Sequence, residues 1–211
     1  PHGTVTERCF FVNVAETLPL DMSTFGDLDD GLSTRGAPEF AYRLKRGAER
    51  HQLPITLGTA PSDYGFSVPL RTLAPCLTAA RTLGVSPTDL PPETLRSFGQ
   101  VIETVCTDDR LRVAVIASVE LSHHAGTAAP EGATAAGQAY DRTVVAAIRQ
   151  GDLEAAASAF DPNLTQEVVS CAPPILGLLA GVLARRDIRP SILTYEAPFG
   201  VGQLTAFFPT L

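Results

Sequence analysis

Three polar residues follow directly after an apolar run near the middle of the chain. The run VAVIASVEL (113–121) is succeeded by Ser122, His123 and His124. Ligands gather outside the carboxyl ends of strands in open α/β sheets, so a histidine here could act as a general acid/base or bind a metal. The alternative is that Ser122 caps a following loop and that both histidines are merely exposed.

A carboxylate and a second histidine have similar settings. Glu196 follows the β-rich run SILTY (191–195) and precedes a glycine-containing turn, where it could bind a metal or be solvated. His2, in the opening PHGTV, would also lie at a strand end if this segment closes a strand. Two histidines and one carboxylate suit a non-haem Fe(II) site. That set would be His2, Glu196 and one further histidine. His51 is not expected to complete it, because we expect His51 to lie at the surface.

Two other chemistries are disfavoured. Ser122 and His123 are adjacent, so on an extended segment their side chains point to opposite faces. The G-x-S-x-G elbow of a serine hydrolase is also missing. Gly200 and Gly202 form no dinucleotide fingerprint, because the third glycine and the following helix are absent.

The composition narrows the class of protein. A chain of 211 residues with 45% hydrophobic and 18% charged residues has the length of one α/β domain or at most two small ones, and we expect a single globular domain over 1–211. The net charge of −7 argues against a nucleic-acid or anionic-membrane surface. The four cysteines show no C-x-x-C spacing, which argues against a zinc knuckle and indicates reduced thiols in a cytoplasmic protein.

Helical and strand patterns alternate along the chain, which predicts an α/β fold. Residues 110–124 carry the strongest strand pattern, expected to be buried on both faces. Residues 22–39 are rich in Gly, Asp and Ser and predict a loop. Further strands are predicted at 9–14, at 54–58 and, as a strand, turn and strand, at 190–209. Helices are predicted at 38–53, in 61–73 after a loop-like start, and at 90–109. Two more helical segments are predicted at 137–160, with a junction at Gly151-Asp152, and at 163–187, with a proline break at 173–174.

Several segments together resemble a known superfamily. They are ASVELSHHAGTAAPEG (117–132), the helical stretch that starts at AYDRTVVAA (139–147), and ILTYEAPFGVGQLTAFF (192–208). PHGTV is similar to a family S-P-H-G segment, and SDYGFSVPL (62–70) is similar to a D-H-G-x-x-V-P-L segment. In this order they resemble the catalytic subunits of class III extradiol ring-cleavage dioxygenases, which have the protocatechuate-type beta-subunit fold. The same superfamily includes the Memo-like proteins.

The resemblance implies a central, mostly parallel or mixed sheet flanked by helices, with the active site at strand ends. It implies Fe(II) bound by two histidines and a glutamate, with His2 and Glu196 as two of those ligands. His123 matches the acid/base histidine, and His124 is its neighbour. The implied substrates are a catecholic aromatic compound and O2, and a homodimer is common for this fold.

Two departures from the family pattern bear on the function. The first histidine ligand of the family lies in an H-P-P-L-L-like segment that residues 1–211 do not contain, so we expect an N-terminally incomplete domain. Tyr64 stands where D-H-G members carry a histidine, and it could hydrogen-bond a substrate oxygen or be a partly buried tyrosine. The alternatives to an enzyme are therefore a Memo-like, non-catalytic binding protein and a structural subunit with a degenerate site.

Overall fold

Eight strands and seven α-helices form within the residues that the computed structural model describes, which are 8–27, 31–77, 79–87, 90–108, 112–130 and 132–210. The strands are β1 (Phe10–Asn13), β2 (Thr17–Pro19), β3 (Ser33–Gly36), β4 (Ile55–Gly58), β5 (Arg81–Thr82), β6 (Val85–Pro87), β7 (Ser191–Glu196) and β8 (Gln203–Phe207). The helices are α1 (Pro38–Arg50), α2 (Tyr64–Leu73), α3 (Pro92–Asp108), α4 (Ala135–Gln150), α5 (Leu153–Ser158), α6 (Thr165–Val168) and α7 (Ala172–Leu183). Helices with mixed sheets confirm the predicted α/β class.

The chain divides into two compact units. The first comprises residues 1–94 and 104–118, and the second comprises residues 95–103 and 119–211. In the first unit, β1 lies between β4, which is parallel to it, and β6, which is antiparallel. A second sheet has the order β2-β3-β5.

The core of the first unit forms around β1. Its aromatic and β-branched residues favour an extended backbone, and Phe10 and Val12 are completely buried. Helix α1 packs on β1 and β4. Pro38 lies in its first turn, where proline costs no hydrogen bond, and Ala41, Leu44 and Ala48 form its buried face.

The second unit is built around α7, which is apolar on every side and almost completely buried. Glycines allow α3 and α7 to approach closely. A Cβ atom at Gly99 would lie 2.2 Å from the carbonyl oxygen of Leu178, and one at Gly181 would lie 2.1 Å from that of Arg96. The backbones of the two helices therefore touch with no side chain between them.

Several predicted elements are confirmed. β1, β4, α1 and α3 lie where the periodicity indicated them, and β7 and β8 are the two strands of the 190–209 segment. α4 and α5 meet at Gly151, which has a left-handed φ of 78°. Asp152 caps α5 by accepting a hydrogen bond of 2.9 Å from the Ala155 N–H. None of the four cysteines, which all lie in the described ranges, takes part in a disulfide bond.

The prediction of a buried strand at 110–124 is wrong for the residues that the structure describes. Residues 112–124 form no regular strand, and Val113, Val115 and Ile116 are 46%, 43% and 45% exposed. The apolar run indicated burial on both faces, but a strand also needs a neighbour to pair with its backbone. Among the described residues, no strand pairs with 112–119.

Two further predictions need correction. The segment predicted as a loop at 22–39 contains β3, which is antiparallel to β2 and parallel to β5. Pro173 and Pro174 do not break a helix, because they lie in the first turn of α7. The break comes earlier, at Val169, where φ is +43°.

None of the described helices is by itself long and apolar enough to cross a bilayer. The stretches 162–168 and 172–183 reach that length and composition only as a pair, and the pair is bent by 117°.

The close contact between α3 and α7 predicts the effect of small substitutions. Gly181→Ala should lower the free energy of unfolding by about 1–3 kcal/mol, because the new methyl group overlaps the backbone of α3. Gly177→Ala is the matched control, since its Cβ would meet Leu95 at an ordinary 3.6 Å. That variant should be neutral or more stable by up to about 1 kcal/mol, because alanine favours a helix. Urea denaturation measures both, and equal destabilisation of the two variants would contradict the packing argument.

Candidate functional site

The predicted acid/base residue, His123, lies beside a carboxylate in the second unit. Its Nε2 atom is 3.2 Å from Oε2 of Glu120, with the two side chains 37% and 29% exposed. This Nε2 atom is buried and has no aligned hydrogen-bond partner among the described residues, so the contact is an ion pair when the imidazole is protonated. A carboxylate in this position can orient an imidazole and stabilise its charged form.

The backbone around His123 is held by hydrogen bonds rather than by a sheet. The His123 N–H donates to the carbonyl oxygen of Val169 at 2.9 Å. The Ser122 hydroxyl donates to the carbonyl oxygen of Val168 at 2.7 Å and accepts the His124 N–H at 3.0 Å. Val169 has a positive φ that β-branched residues rarely adopt, so the surrounding contacts must stabilise a strained backbone here.

The second histidine of the pair has a different environment. His124 is buried, and its Nδ1 atom lies 3.2 Å from the carbonyl oxygen of Gly132. Its ring is therefore engaged inside the protein, whereas the ring of His123 is partly exposed.

A buried carboxylate, Asp141, joins the His123 segment to β7. Asp141 lies on α4 and is completely buried. Its Oδ1 accepts the Ser122 N–H at 2.8 Å, and its Oδ2 accepts the Tyr195 hydroxyl at 2.8 Å. Both carboxylate oxygens are therefore hydrogen-bonded, which offsets part of the cost of burying the group.

Burial controls the titration of this cluster. It raises the pKa of Asp141 above its ordinary value, while the hydrogen bonds from Ser122 and Tyr195 act in the opposite direction. Burial raises the pKa of the Tyr195 phenol, and the bond to Asp141 raises it further. The neighbouring Tyr140 is buried, which raises the pKa of its phenol to about 12.

The backbone of Glu120 is fixed by a second group of polar residues. The Ser170 hydroxyl donates to the Glu120 carbonyl oxygen at 3.1 Å. The Glu120 N–H donates to the Cys171 sulfur at 3.3 Å. Burial raises the pKa of the Cys171 thiol, so this sulfur accepts the bond as a neutral thiol.

Glu196, the predicted metal-binding carboxylate, is the last residue of β7. It pairs in register with Gln203 of β8, and its side chain is exposed. Among the described residues its carboxylate has no hydrogen-bond or ion-pair partner. No hydrogen bond or ion pair joins Glu196 to His123 in the part of the chain that is described.

Tyr64 belongs to the first unit. It is the first residue of α2, whose N-terminus is capped by Asp63 through a 2.9 Å bond from the Phe66 N–H. The Tyr64 ring contacts Phe25 edge-on, with 5.8 Å between the ring centroids. This contact orients the ring and leaves the site prediction for Tyr64 open.

His2, the other predicted metal ligand, lies outside the described residues. Within the described ranges, no three His, Cys, Asp or Glu side chains come together in a way that could hold a metal ion. The described residues therefore contribute Glu196 alone to the predicted set of iron ligands. Carboxylate and imidazole donors suit Fe(II), so that set remains chemically consistent.

Sequence reasoning did not identify Asp141 or Glu120. Asp141 lies on the same helical face as Val144 and Ile148, both buried. A single carboxylate on an apolar face of α4 was the signal that could have identified it, because buried carboxylates are rare without partners. Glu120 offered only its spacing of three residues from His123.

The fold and the histidine–carboxylate pair define the class: an α/β protein with a candidate acid/base site. The family model described as "Catalytic LigB subunit of aromatic ring-opening dioxygenase" matches residues 1–207. The chain belongs to this family, which confirms the resemblance stated from its motifs.

The chain is also similar in sequence to a curated protein. This relative is Protein CA_C1420 of Clostridium acetobutylicum, which is 26% identical over 212 residues. The match covers 96% of this chain but 45% of the relative, so the chain spans less than half the length of that protein.

The raised pKa of Asp141 predicts how stability changes with pH. An acid with a raised pKa in the folded state contributes stability below its unfolded pKa of 3.8, and this contribution is lost as pH rises through the folded pKa. Asp141→Asn cannot titrate. The wild-type protein should therefore lose stability relative to this variant as pH rises from about 4 toward neutrality. Urea denaturation of both proteins across this range tests the prediction, and a difference that is constant with pH would contradict it.

Proposed function

We propose that the protein is a non-haem, Fe(II)-dependent dioxygenase that opens a catecholic ring by extradiol cleavage with O2. The observation that carries the proposal is the partly exposed imidazole of His123 beside the Glu120 carboxylate. It occurs in a chain that belongs to a family of ring-opening dioxygenase catalytic subunits. Family membership supports the reaction class, and the local chemistry supports His123 as its acid/base.

The metal ligands follow from the family motifs. Glu196 and His2 are the proposed ligands, together with one further histidine that the family pattern requires. The exposed, unpaired carboxylate of Glu196 supports its part in this set. Iron, when bound, would supply the centre at which the catecholic substrate and O2 react.

Proton transfer is the task proposed for His123. A neutral imidazole can accept a proton from a substrate hydroxyl and later return it to a product oxygen. When the ring is protonated, the Glu120 carboxylate 3.2 Å away stabilises its charge. Buried hydrogen bonds on both sides of His123 fix the backbone from which its ring extends.

Tyr64 is proposed to donate a hydrogen bond to a substrate oxygen. This role rests on its place in the SDYGFSVPL motif, where family members carry a histidine. A phenol hydroxyl donates a hydrogen bond well but, unlike an imidazole, is a poor proton acceptor at neutral pH. A tyrosine at position 64 therefore does not take over the proton-accepting role of a histidine, and His123 is the proposed acid/base.

Replacement of His123 tests the proton-transfer role. His123→Gln in the full-length, iron-loaded protein should lower kcat for catechol by about 10²- to 10⁴-fold, because a positioned acid/base contributes that much. His51→Gln is the matched control, since His51 is exposed at the end of α1. Oxygen uptake with catechol measures both variants. Unchanged uptake by His123→Gln would overturn the assignment.

Replacement of Glu196 tests the metal site. Glu196→Ala should reduce the iron bound per chain by about 10-fold or more, because it removes one charged ligand from a small set. Glu154→Ala is the control: this exposed carboxylate pairs with Arg96 on the surface, where an ion pair contributes little. Iron is quantified after anaerobic loading and desalting.

The two non-enzymatic alternatives predict a different result for the wild-type protein. If the full-length wild-type protein retains no iron and consumes no oxygen with catechol, the enzyme proposal fails. A Memo-like binding protein or a structural subunit would then explain the fold.

A further inference from the structure

The carboxylate of Asp141 contacts the chain neighbours of both proposed site residues in the second unit. Oδ1 accepts the N–H of Ser122, the residue before His123. Oδ2 accepts the hydroxyl of Tyr195, the residue before Glu196. One buried side chain on α4 therefore sets the position of two segments that are more than 70 residues apart in sequence.

A third segment, which contains Gly202, packs against the same carboxylate. The Gly202 N–H donates to the carbonyl oxygen of Ser122 at 2.8 Å, and the Gly202 carbonyl oxygen accepts the Leu121 N–H at 2.9 Å. A Cβ atom at position 202 would lie only 1.8 Å from Oδ2 of Asp141. Glycine is therefore required here because the carboxylate occupies the space of a side chain.

The alternation of side chains along β7 links the bond made by Tyr195 to the orientation of Glu196. Successive residues of a β-strand point to opposite faces. When Tyr195 bonds to Asp141, Glu196 is turned to the other face of β7, where its carboxylate is exposed. The bond to Ser122 likewise fixes the backbone from which the His123 ring extends.

We propose that Asp141 is a positioning residue for the ring-opening reaction, acting through Ser122 on His123 and through Tyr195 on Glu196. The inference rests on the proposed function of these two residues. Catalytic groups must be held in a narrow range of positions, and a displacement of about 1 Å can cost about 10²-fold in rate. Asp141 itself is buried and does not contact substrate in this role.

Substitutions of Asp141 distinguish the effect of losing its hydrogen bonds from the effect of losing its negative charge. Asp141→Ala removes both hydrogen-bond acceptors and should lower kcat for catechol by about 10²-fold with KM nearly unchanged. Asp141→Asn retains an acceptor for Ser122, and its amide can donate to the Tyr195 oxygen. It should therefore keep kcat within about threefold of wild type, since the geometry persists without the charge. If the asparagine variant loses as much activity as the alanine variant, the positioning role is overturned.

A second variant covers the case in which Asp141→Ala does not fold. Tyr195→Phe removes only the bond to Oδ2 and should lower kcat by about 10-fold through Glu196 alone. Where Asp141→Ala does fold, adding Tyr195→Phe to it should cause no further loss, because that bond is already missing. Full wild-type activity of Tyr195→Phe would overturn the Glu196 half of the proposal.

A measurement on iron-free protein separates this proposal from the proposed function. The ¹³C-labelled ring of His123, assigned by its loss in His123→Gln, should give one sharp NMR signal in the wild-type protein. The signal should broaden or split in Asp141→Ala and return in Asp141→Asn. Asp152→Ala is the matched control, because it removes a structural helix cap in the same unit and should leave both this signal and kcat unchanged. If wild-type protein opens no ring, the proposed function fails and the NMR comparison alone decides the positioning role. An unaltered signal in Asp141→Ala would overturn it.

Discussion

The second unit depends on the burial of one carboxylate. A carboxyl group taken out of water is costly unless each of its oxygens finds a donor. Asp141 finds a backbone N–H on one segment and a phenol on another. Satisfying this group therefore requires α4, the turn at Ser122 and β7 to meet at one point. The same requirement excludes any side chain at residue 202.

This constraint explains how an irregular segment can hold a candidate catalytic residue. Residues 120–124 have no regular strand to order them, yet each of the four consecutive N–H groups from Glu120 to His123 has an acceptor. These acceptors come from a thiol, a glycine carbonyl, a carboxylate and the carbonyls at 168–169. Because the acceptors lie on different elements, the turn cannot shift without breaking several bonds at once. Such a segment is as well defined as a strand end, although its sequence gives no sign of it.

Local sequence patterns predicted most elements, because those elements obey local rules. Pro38 and the apolar spacing in α1, the junction at Gly151-Asp152 and the aromatic and β-branched side chains of β1 each act within a few residues of the chain. The failures involve partners that lie far away in sequence. The apolar run at 113–119 predicted a strand, but strand formation depends on a neighbour that supplies hydrogen bonds. β3 was missed for the opposite reason, since its polar sequence forms a strand only because β2 and β5 pair with it.

The same contrast between local patterns and partners distant in sequence applies to the residues of the candidate site. His123 and Glu196 were predicted because their residue types carry chemistry that motifs preserve in short segments. Asp141 could not be assigned a role from sequence, since its partners are 19 and 54 residues away and one of them is a backbone N–H. A motif specifies which group reacts, whereas buried contacts specify where that group is held. For this reason the residues beside the motif, Ser122 and Tyr195, connect the chemistry of the site to the fold that supports it.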